Sequence, residues 1–232
     1  MRLAVIPARG GSKRIPRKNI RPFCGKPMIE WSIKAALDSA VFDHVIVSTE
    51  DAQIAEVARA CGADLPFMRP AALADDFTGT VPVITQAVDA CDALFGPATQ
   101  VCCLYATAPF VTAEDLRTGL DLLDQTGADY VFSAAHFAYP IQRALRLGGD
   151  GFAHMMAPEY DQTRSQDLEP AYHDAGQFYW GTAQAWRDGL SILHGGRAVM
   201  SVLPAERVQD IDTPDDWTRA EAMFRALDWP NS

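Results

Sequence analysis

The chain has 232 residues, 48% of them apolar, which is enough to bury a two-sided core in one globular domain and does not fit a disordered or low-complexity chain. Its 20 Lys and Arg against 30 Asp and Glu leave a formal charge of −10. Nucleic acid, which needs a basic face, is a poor partner for such a chain, and an anionic ligand must meet a local cluster of cations. No apolar run is long enough to span a membrane, and the residues behind Met1-Arg2 turn polar too soon for a signal peptide. The five cysteines (Cys24, Cys61, Cys91, Cys102, Cys103) lack metal-type spacing and read as reduced thiols of a cytoplasmic protein.

Leu3 to Pro7 is a short apolar run ending at glycines, as in a buried parallel strand feeding a loop. The Gly25-Lys26-Pro27 turn opens a helix over Met28 to Leu37. His44 to Thr49 is a second strand. Asp51 caps a helix from Ala52 to about Cys61, stopped by Gly62. A helix over Thr80 to Phe95 and a strand over Gln100 to Ala106 follow. Thr112 caps a helix through Asp124, and Tyr130 to Ala135 is a fourth strand. From Ala138 to about Pro170 periodicity is lost, and the stretch reads as an arm with a hairpin near Leu145 to Phe152. Strand signals return at Gly176 to Trp180 and Ala198 to Leu203. A last helix runs from near Pro214 to about Leu227, capped by Thr213 or Asp212.

Strands alternating with helices predict a single α/β domain over 1–232, with a mainly parallel sheet and helices on both faces. Ligands in such sheets bind at the carboxyl ends of strands. The loops after Ile6, Thr49, Tyr105 and Ala135 are therefore expected to share one cleft.

The segment Ala8 to Asn19 carries the main chemical signal. Six cations fall between Arg9 and Arg21: Arg9, Lys13, Arg14, Arg17, Lys18 and Arg21. Adjacent Gly10 and Gly11 let backbone amides approach a phosphate, and the cations neutralise its charge. Pro16 and the absence of Gly-Lys-Ser/Thr exclude a Walker A loop, and no Gly-x-Gly-x-x-Gly is present. Near the other end, Asp210 and Asp212 stand two residues apart, a spacing that points both carboxylates to one side of an extended segment and suits Mg²⁺.

Pro7-Ala8-Arg9-Gly10-Gly11-Ser12-Lys13 with Pro16-x-Lys18-Asn19 resembles the opening motif of the CMP-sugar synthetases that act on 3-deoxy-ulosonic acids. The likeness continues through Val47-Ser48-Thr49-Glu50-Asp51, Arg69-Pro70-Ala71-x-Leu73-Ala74-x-Asp76, Thr80 and Asp210-Ile211-Asp212-Thr213. Cys102 to Phe110, Arg164 to Leu168 and His173 to Trp180 look like the pseudaminic acid branch rather than the sialate branch.

The resemblance implies a Rossmann-like nucleotide-diphospho-sugar transferase fold with a small protruding arm. It implies a homodimer that uses the 138–170 arm. It implies CTP and a nonulosonic acid as substrates and Mg²⁺ as cofactor. The anomeric hydroxyl attacks the α-phosphate and pyrophosphate leaves, so catalysis is mostly positioning and electrostatics. Arg9, Lys18 and Asp212 take catalytic roles. Ala8, Arg9, Gly10, Gly11, Ser12, Lys13, Lys18, Asn19, Arg69 and Thr80 hold the nucleotide, and Asp210 and Asp212 hold the metal. Tyr105, Arg143, Arg164, Gln166, His173, Gln177 and Tyr179 are the sugar-side candidates. Alternatives are the sialate, legionaminate or 3-deoxy-manno-octulosonate reaction, an inactive nucleotide-sugar binding protein, and a uridylyl or thymidylyl transferase.

Overall fold

The computed structural model of the protein describes residues 1–194 and 197–227. In chain order the strands and helices are β1 (Arg2–Pro7), β2 (Pro22–Phe23), β3 (Lys26–Pro27), α1 (Met28–Ser39), β4 (His44–Ser48), α2 (Ala52–Ala60), α3 (Thr80–Phe95), β5 (Gln100–Leu104), α4 (Ala113–Thr126), β6 (Tyr130–His136), β7 (Leu145–Leu147), β8 (Ala153–Met155), β9 (Tyr172–Thr182), α5 (Ala183–Arg187), β10 (Ala198–Val202) and α6 (Pro214–Ala226). The main sheet has the order β10-β6-β9-β5-β1-β4. β1 runs parallel to β4 and β5, and β10 runs parallel to β6. The sheet is mainly parallel, as the alternation predicts.

β9 is the exception. It lies between β5 and β6, antiparallel to both. Its 11 residues exceed the Gly176 to Trp180 run that the sequence suggests. It also separates β6 from the strands that carry the cation-rich loop.

Helices cover both faces because each strand alternates apolar side chains. Ala4, Ile6, Val45, Val47, Cys102, Leu104, Phe178 and Trp180 face one cluster with α1, α2 and α4. Leu3, Val5, Ile46, Val101, Cys103, Tyr130, Phe132 and Tyr179 face the other, with α3 and α5. A third cluster joins Ile15 of the loop to Phe23, Met28, Trp31, Phe110, Ile211, Trp217 and Phe224. Phe23 meets Trp217 and Phe224 edge-on at 5.4 and 5.3 Å. The loop is thus anchored against α6, the last helix among the described residues.

The helix starts follow their caps. Asp51 accepts from the amides of Gln53 and Ile54. Thr112 with Asp115, and Thr213 with Asp216, form capping boxes. Of the two residues expected to cap the last helix, Thr213 does so, which leaves the Asp212 side chain free for other partners. The arm hairpin pairs Leu145–Leu147 with Ala153–Met155, so its return strand begins just past Phe152. The Gly148 to Gly151 turn sets this, with the Gly148 amide donating to the Phe152 carbonyl at 2.8 Å.

Ile15 is fully buried under the loop. Ile15→Ala is expected to lower the unfolding free energy by about 2–5 kcal/mol, through lost burial plus the cavity left behind. A urea titration followed by tryptophan fluorescence checks this; an unchanged midpoint would show that the third cluster does not hold the loop.

Candidate active site at the end of the first strand

The loop behind β1 borders a cleft of about 590 Å³. Arg9, Ser12, Lys13, Arg14, Lys18 and Asn19 line one side, and Arg69, Asp76, Thr80, Tyr105 and Asp212 line the rest. Residues as far apart in sequence as Arg9 and Asp212 meet here because β1, β4 and β5 end together and α6 packs under the loop.

The cations of the loop part company. Arg9 donates to Asp76 Oδ1 at 2.5 Å and to the Asp75 carbonyl at 3.0 Å, and Lys13 pairs with the other oxygen of Asp76. Arg14 reaches Asp212 Oδ2 at 2.7 Å. Lys18 donates to the Ile211 carbonyl at 2.7 Å and reaches Asp212 Oδ1 at 3.3 Å. Arg21 lies over the Trp217 ring instead, 4.8 Å from its centroid.

Arg17 points away from the cleft. It grips Asp51 in a fork (2.5 and 3.0 Å) and donates to Gln53 Oε1 at 2.6 Å. Its own backbone is left-handed, at φ 57. The Arg17 guanidinium, helped by the amides of Ile54 and Gln53, holds the Asp51 carboxyl down at about 2. On the same side, a Cβ on Gly10 would lie 2.6 Å from Asp51 Oδ2, which explains the glycine. Asp51 is therefore a fixed post, touched by the Arg17 side chain and by the Gly10 backbone.

Gly10 and Gly11 are not equivalent cradles. The Gly10 amide donates to Glu50 Oε1 at 2.7 Å, so it is already engaged, whereas Gly11 is exposed. Ala8 is buried behind the loop and donates its amide to the Ser48 carbonyl. Asn19 donates to the Arg9 carbonyl at 2.9 Å, tying the two ends of the loop together. Buried Arg69 donates to Ser48 Oγ and the Ser48 carbonyl, and desolvation lowers its pKa. Glu50, Arg17, Asp51 and Asp76 were not assigned to the site from the sequence, although Glu50, Asp51 and Asp76 stand in the motifs, Asp51 at a helix start and Arg17 among the clustered cations.

Asp212 lines the cleft and Asp210 does not, so of the two expected metal ligands only Asp212 is placed at the site. Partial desolvation and the neighbouring Asp212 charge push the Asp210 carboxyl up, although the residue as a whole is exposed. Among the described residues no three His, Cys, Asp or Glu side chains converge to hold a metal by themselves. The pair would hold Mg²⁺ only together with waters and substrate oxygens.

The sugar-side candidates scatter. Tyr105 lines the cleft, with its hydroxyl 3.0 Å from Thr80 Oγ1. Arg143, Arg164 and Gln166 lie on the arm and do not line it: Arg143 reaches Ser165, Arg164 pairs with Asp167, and Gln166 borders a small hollow at the arm base. His173 contacts the Asp174 carbonyl and the Phe137 ring. Gln177 is buried, donating to the Arg207 carbonyl at 2.7 Å. Tyr179 is buried and donates to Asp174. No residue from the loop after Ala135 lines the cleft, contrary to expectation, because β9 stands between β6 and β5.

Asp51 has a depressed folded-state pKa, so its pairing contributes stability above the ordinary carboxylate value of 3.8, and that contribution is lost as pH falls toward about 2. The stability gap between the wild type and Asp51→Asn is expected to stay constant from pH 7 to 5 and to shrink below pH 4. Urea midpoints across that range measure it; a gap that closes near pH 6 would rule out this origin.

The cytidylyltransferase family profile matches residues 3–145. The chain is 43% identical over 223 residues to the pseudaminic acid cytidylyltransferase of Campylobacter jejuni, covering 96% of each chain. It is 32% identical to the CMP-N,N'-diacetyllegionaminic acid synthase of Legionella pneumophila, covering 96% of this chain and 95% of that one. Its fold matches the structure of CMP:2-keto-3-deoxy-manno-octonic acid synthetase complexed with CTP, at a TM-score of 0.69 and 18% identity over 97% of this chain and 99% of that one. With four of the loop's cations and Asp212 gathered in one cleft behind β1, the chain belongs to the cytidylyltransferase family and is a nucleotidyltransferase.

Proposed function

We propose that the protein transfers CMP from CTP to the anomeric hydroxyl of pseudaminic acid and releases pyrophosphate. The carrying observation is the convergence of Arg9, Lys13, Arg14 and Lys18 with Asp212 on one cleft in an otherwise acidic chain. The choice of sugar is supported by 43% identity to a pseudaminic acid enzyme over nearly the whole chain, against 32% to a legionaminic one.

The bond that forms joins the sugar oxygen to the α-phosphorus, and the bond that breaks joins that phosphorus to the pyrophosphate oxygen. Arg9, Lys13 and Lys18 hold the phosphates and neutralise the charge that moves to the leaving pyrophosphate. The Ser12 hydroxyl and the open backbone amide at Gly11 donate to the triphosphate beside them. Mg²⁺, held by Asp210 and Asp212, adds further neutralisation when bound. Asp212 takes the proton of the attacking hydroxyl. Arg69 and Asn19 keep the nucleotide end in place.

We further propose a cytoplasmic homodimer built through the arm. Leu147, Phe152 and Tyr139 on the arm are 80%, 71% and 83% exposed, apolar side chains that a partner would cover. Pairing two arms would cover these side chains. It would also give Arg143 and Arg164, which miss the cleft of their own chain, a route to a neighbouring one. Five free cysteines support a reducing compartment.

Three measurements test this. Purified protein with CTP and Mg²⁺ is expected to release pyrophosphate only when a nonulosonic acid is added, fastest with pseudaminic acid; no turnover with any of a panel of these sugars rules out the reaction. Asp212→Asn is expected to lose orders of magnitude in kcat while keeping its fold. Activity within about tenfold, roughly 1.4 kcal/mol of barrier, would contradict the role of Asp212. Leu147→Glu with Phe152→Glu is expected to turn a dimer into a monomer in analytical ultracentrifugation, and an unchanged sedimentation coefficient refutes the arm interface.

A further inference from the structure

The segment that carries Asp212 has little structure of its own. Val208 to Asp212 is neither helix nor strand, and no backbone-to-backbone hydrogen bond joins Gln209, Asp210, Ile211 or Asp212 to any described residue. Its course is therefore set from outside. At its far end the Asp212 amide donates to Asp216 Oδ2 at 3.2 Å, beside the capping box of α6. In its middle Ile211 is fully buried in the third cluster, together with Phe110. Its near end is held at Arg207.

Arg207 ties that end to the part of the cleft built by the loop after β5. Its guanidinium forks onto Asp115, Nη1 to Oδ2 at 2.6 Å and Nη2 to Oδ1 at 2.9 Å. The pair is largely buried, and Asp115 is itself fixed by the amide and hydroxyl of Thr112 at the start of α4. Nη1 also reaches the Phe110 carbonyl at 3.4 Å, in the loop that brings Tyr105, Ala106 and Thr107 to the cleft. The Arg207 carbonyl accepts from Gln177 Nε2 at 2.7 Å. A carbonyl only accepts, so the amide nitrogen of Gln177 must face it. The backbone carbonyl of Gln177 takes the Tyr105 amide at 2.9 Å. One buried residue of β9 thus bonds both to Tyr105 and to the segment leading to Asp212.

We propose that Gln177 and Arg207 are positioning residues for the transfer step: together they hold Asp212 in a fixed place relative to Tyr105. The inference rests on the cytidylyltransferase reading of the cleft, in which Asp212 takes the proton of the acceptor hydroxyl. Gln177 is 2% exposed and meets no ligand; it acts through the Tyr105 backbone and the Arg207 carbonyl. The nucleotide is spared, because Arg9, Lys13 and Lys18 sit on a loop with its own fastenings at Ile15 and Arg17. Loosening the segment therefore slows transfer without weakening CTP. A misplacement of about 1 Å at a reacting group costs on the order of 100-fold in rate.

Gln177→Met keeps the bulk and the backbone carbonyl and removes the side-chain donor. Arg207→Lys keeps the charge and removes the fork. Val88→Ala, in the core cluster beneath α3, lowers stability without touching this network. Each variant is measured for kcat of pyrophosphate release, CTP affinity by calorimetry, Tm, and hydrogen exchange of peptides spanning 208–213. Gln177→Met and Arg207→Lys are expected to lower kcat by about 10- to 100-fold, to leave CTP affinity within about threefold and to speed exchange in 208–213. Val88→Ala is expected to keep kcat within about twofold at a similar loss of Tm. The double variant is expected to lose no more than the worse single variant, because both changes act on one segment. If Arg207→Lys does not fold, Gln177→Met decides. A kcat within about twofold of wild type in Gln177→Met overturns the proposal, as does an equal fall in Val88→Ala, a loss of CTP affinity that matches the loss of kcat, or unchanged exchange in 208–213. Wild-type protein that binds CTP but turns over no sugar counts against the transfer reading instead, and the exchange result still decides whether Gln177 and Arg207 hold the segment.

Discussion

The site depends on one electrostatic constraint: Arg9, Lys13, Arg14 and Lys18 are crowded at the carboxyl end of β1, where like charges repel unless anions stand between them. Without a ligand those anions come from the chain. Asp76 separates Arg9 from Lys13, and Asp212 separates Arg14 from Lys18. Most of these pairs are partly open to water, and such pairs contribute about 0–1 kcal/mol each. Pairs of that strength arrange the cations in advance without locking them. A triphosphate, with more charge and more acceptor oxygens, displaces the carboxylates at little cost.

Arg17 and Ile15 work differently, because they hold the loop rather than its ligand. Arg17 turns its fork to Asp51, the cap of α2, and Ile15 is sealed beneath the loop by Phe110, Ile211 and Trp217. Two independent fastenings, one polar and one apolar, tie the loop to α2 and to α6. Helix α6 therefore fixes the distance between Lys18 and Asp212, although 194 residues separate them. The capping box of Thr213 with Asp216 completes this arrangement by relieving Asp212 of the helix start.

β9 divides the molecule's chemistry. By entering antiparallel between β5 and β6 it keeps the cleft over β1, β4 and β5 and sends the chain after β6 into the arm. Its bulge brings Asp174 to the Tyr179 hydroxyl, behind the Tyr105 ring, a meeting that regular strand alternation would not have given.

By itself the sequence determined most of the element order, since strands with apolar alternation and helices with Asp51, Thr112 or Thr213 at their start are specified by neighbours within a few residues. It also determined where the cations gather, because Gly10, Gly11 and six clustered cations sit in one short segment. Tertiary structure alone decided what each cation does. Arg17 and Lys13 look equally available in the sequence, and only the placement of Asp51 and Asp76, brought in by chain folding, sends one to the scaffold and the other to the cleft. The same holds for Gln177, which reads as a sugar contact and is buried in the core, and for Asp174, whose contact with Tyr179 depends on a bulge. Local preference reaches a few residues along the chain, whereas a binding site is made of contacts between segments, and those are set by packing.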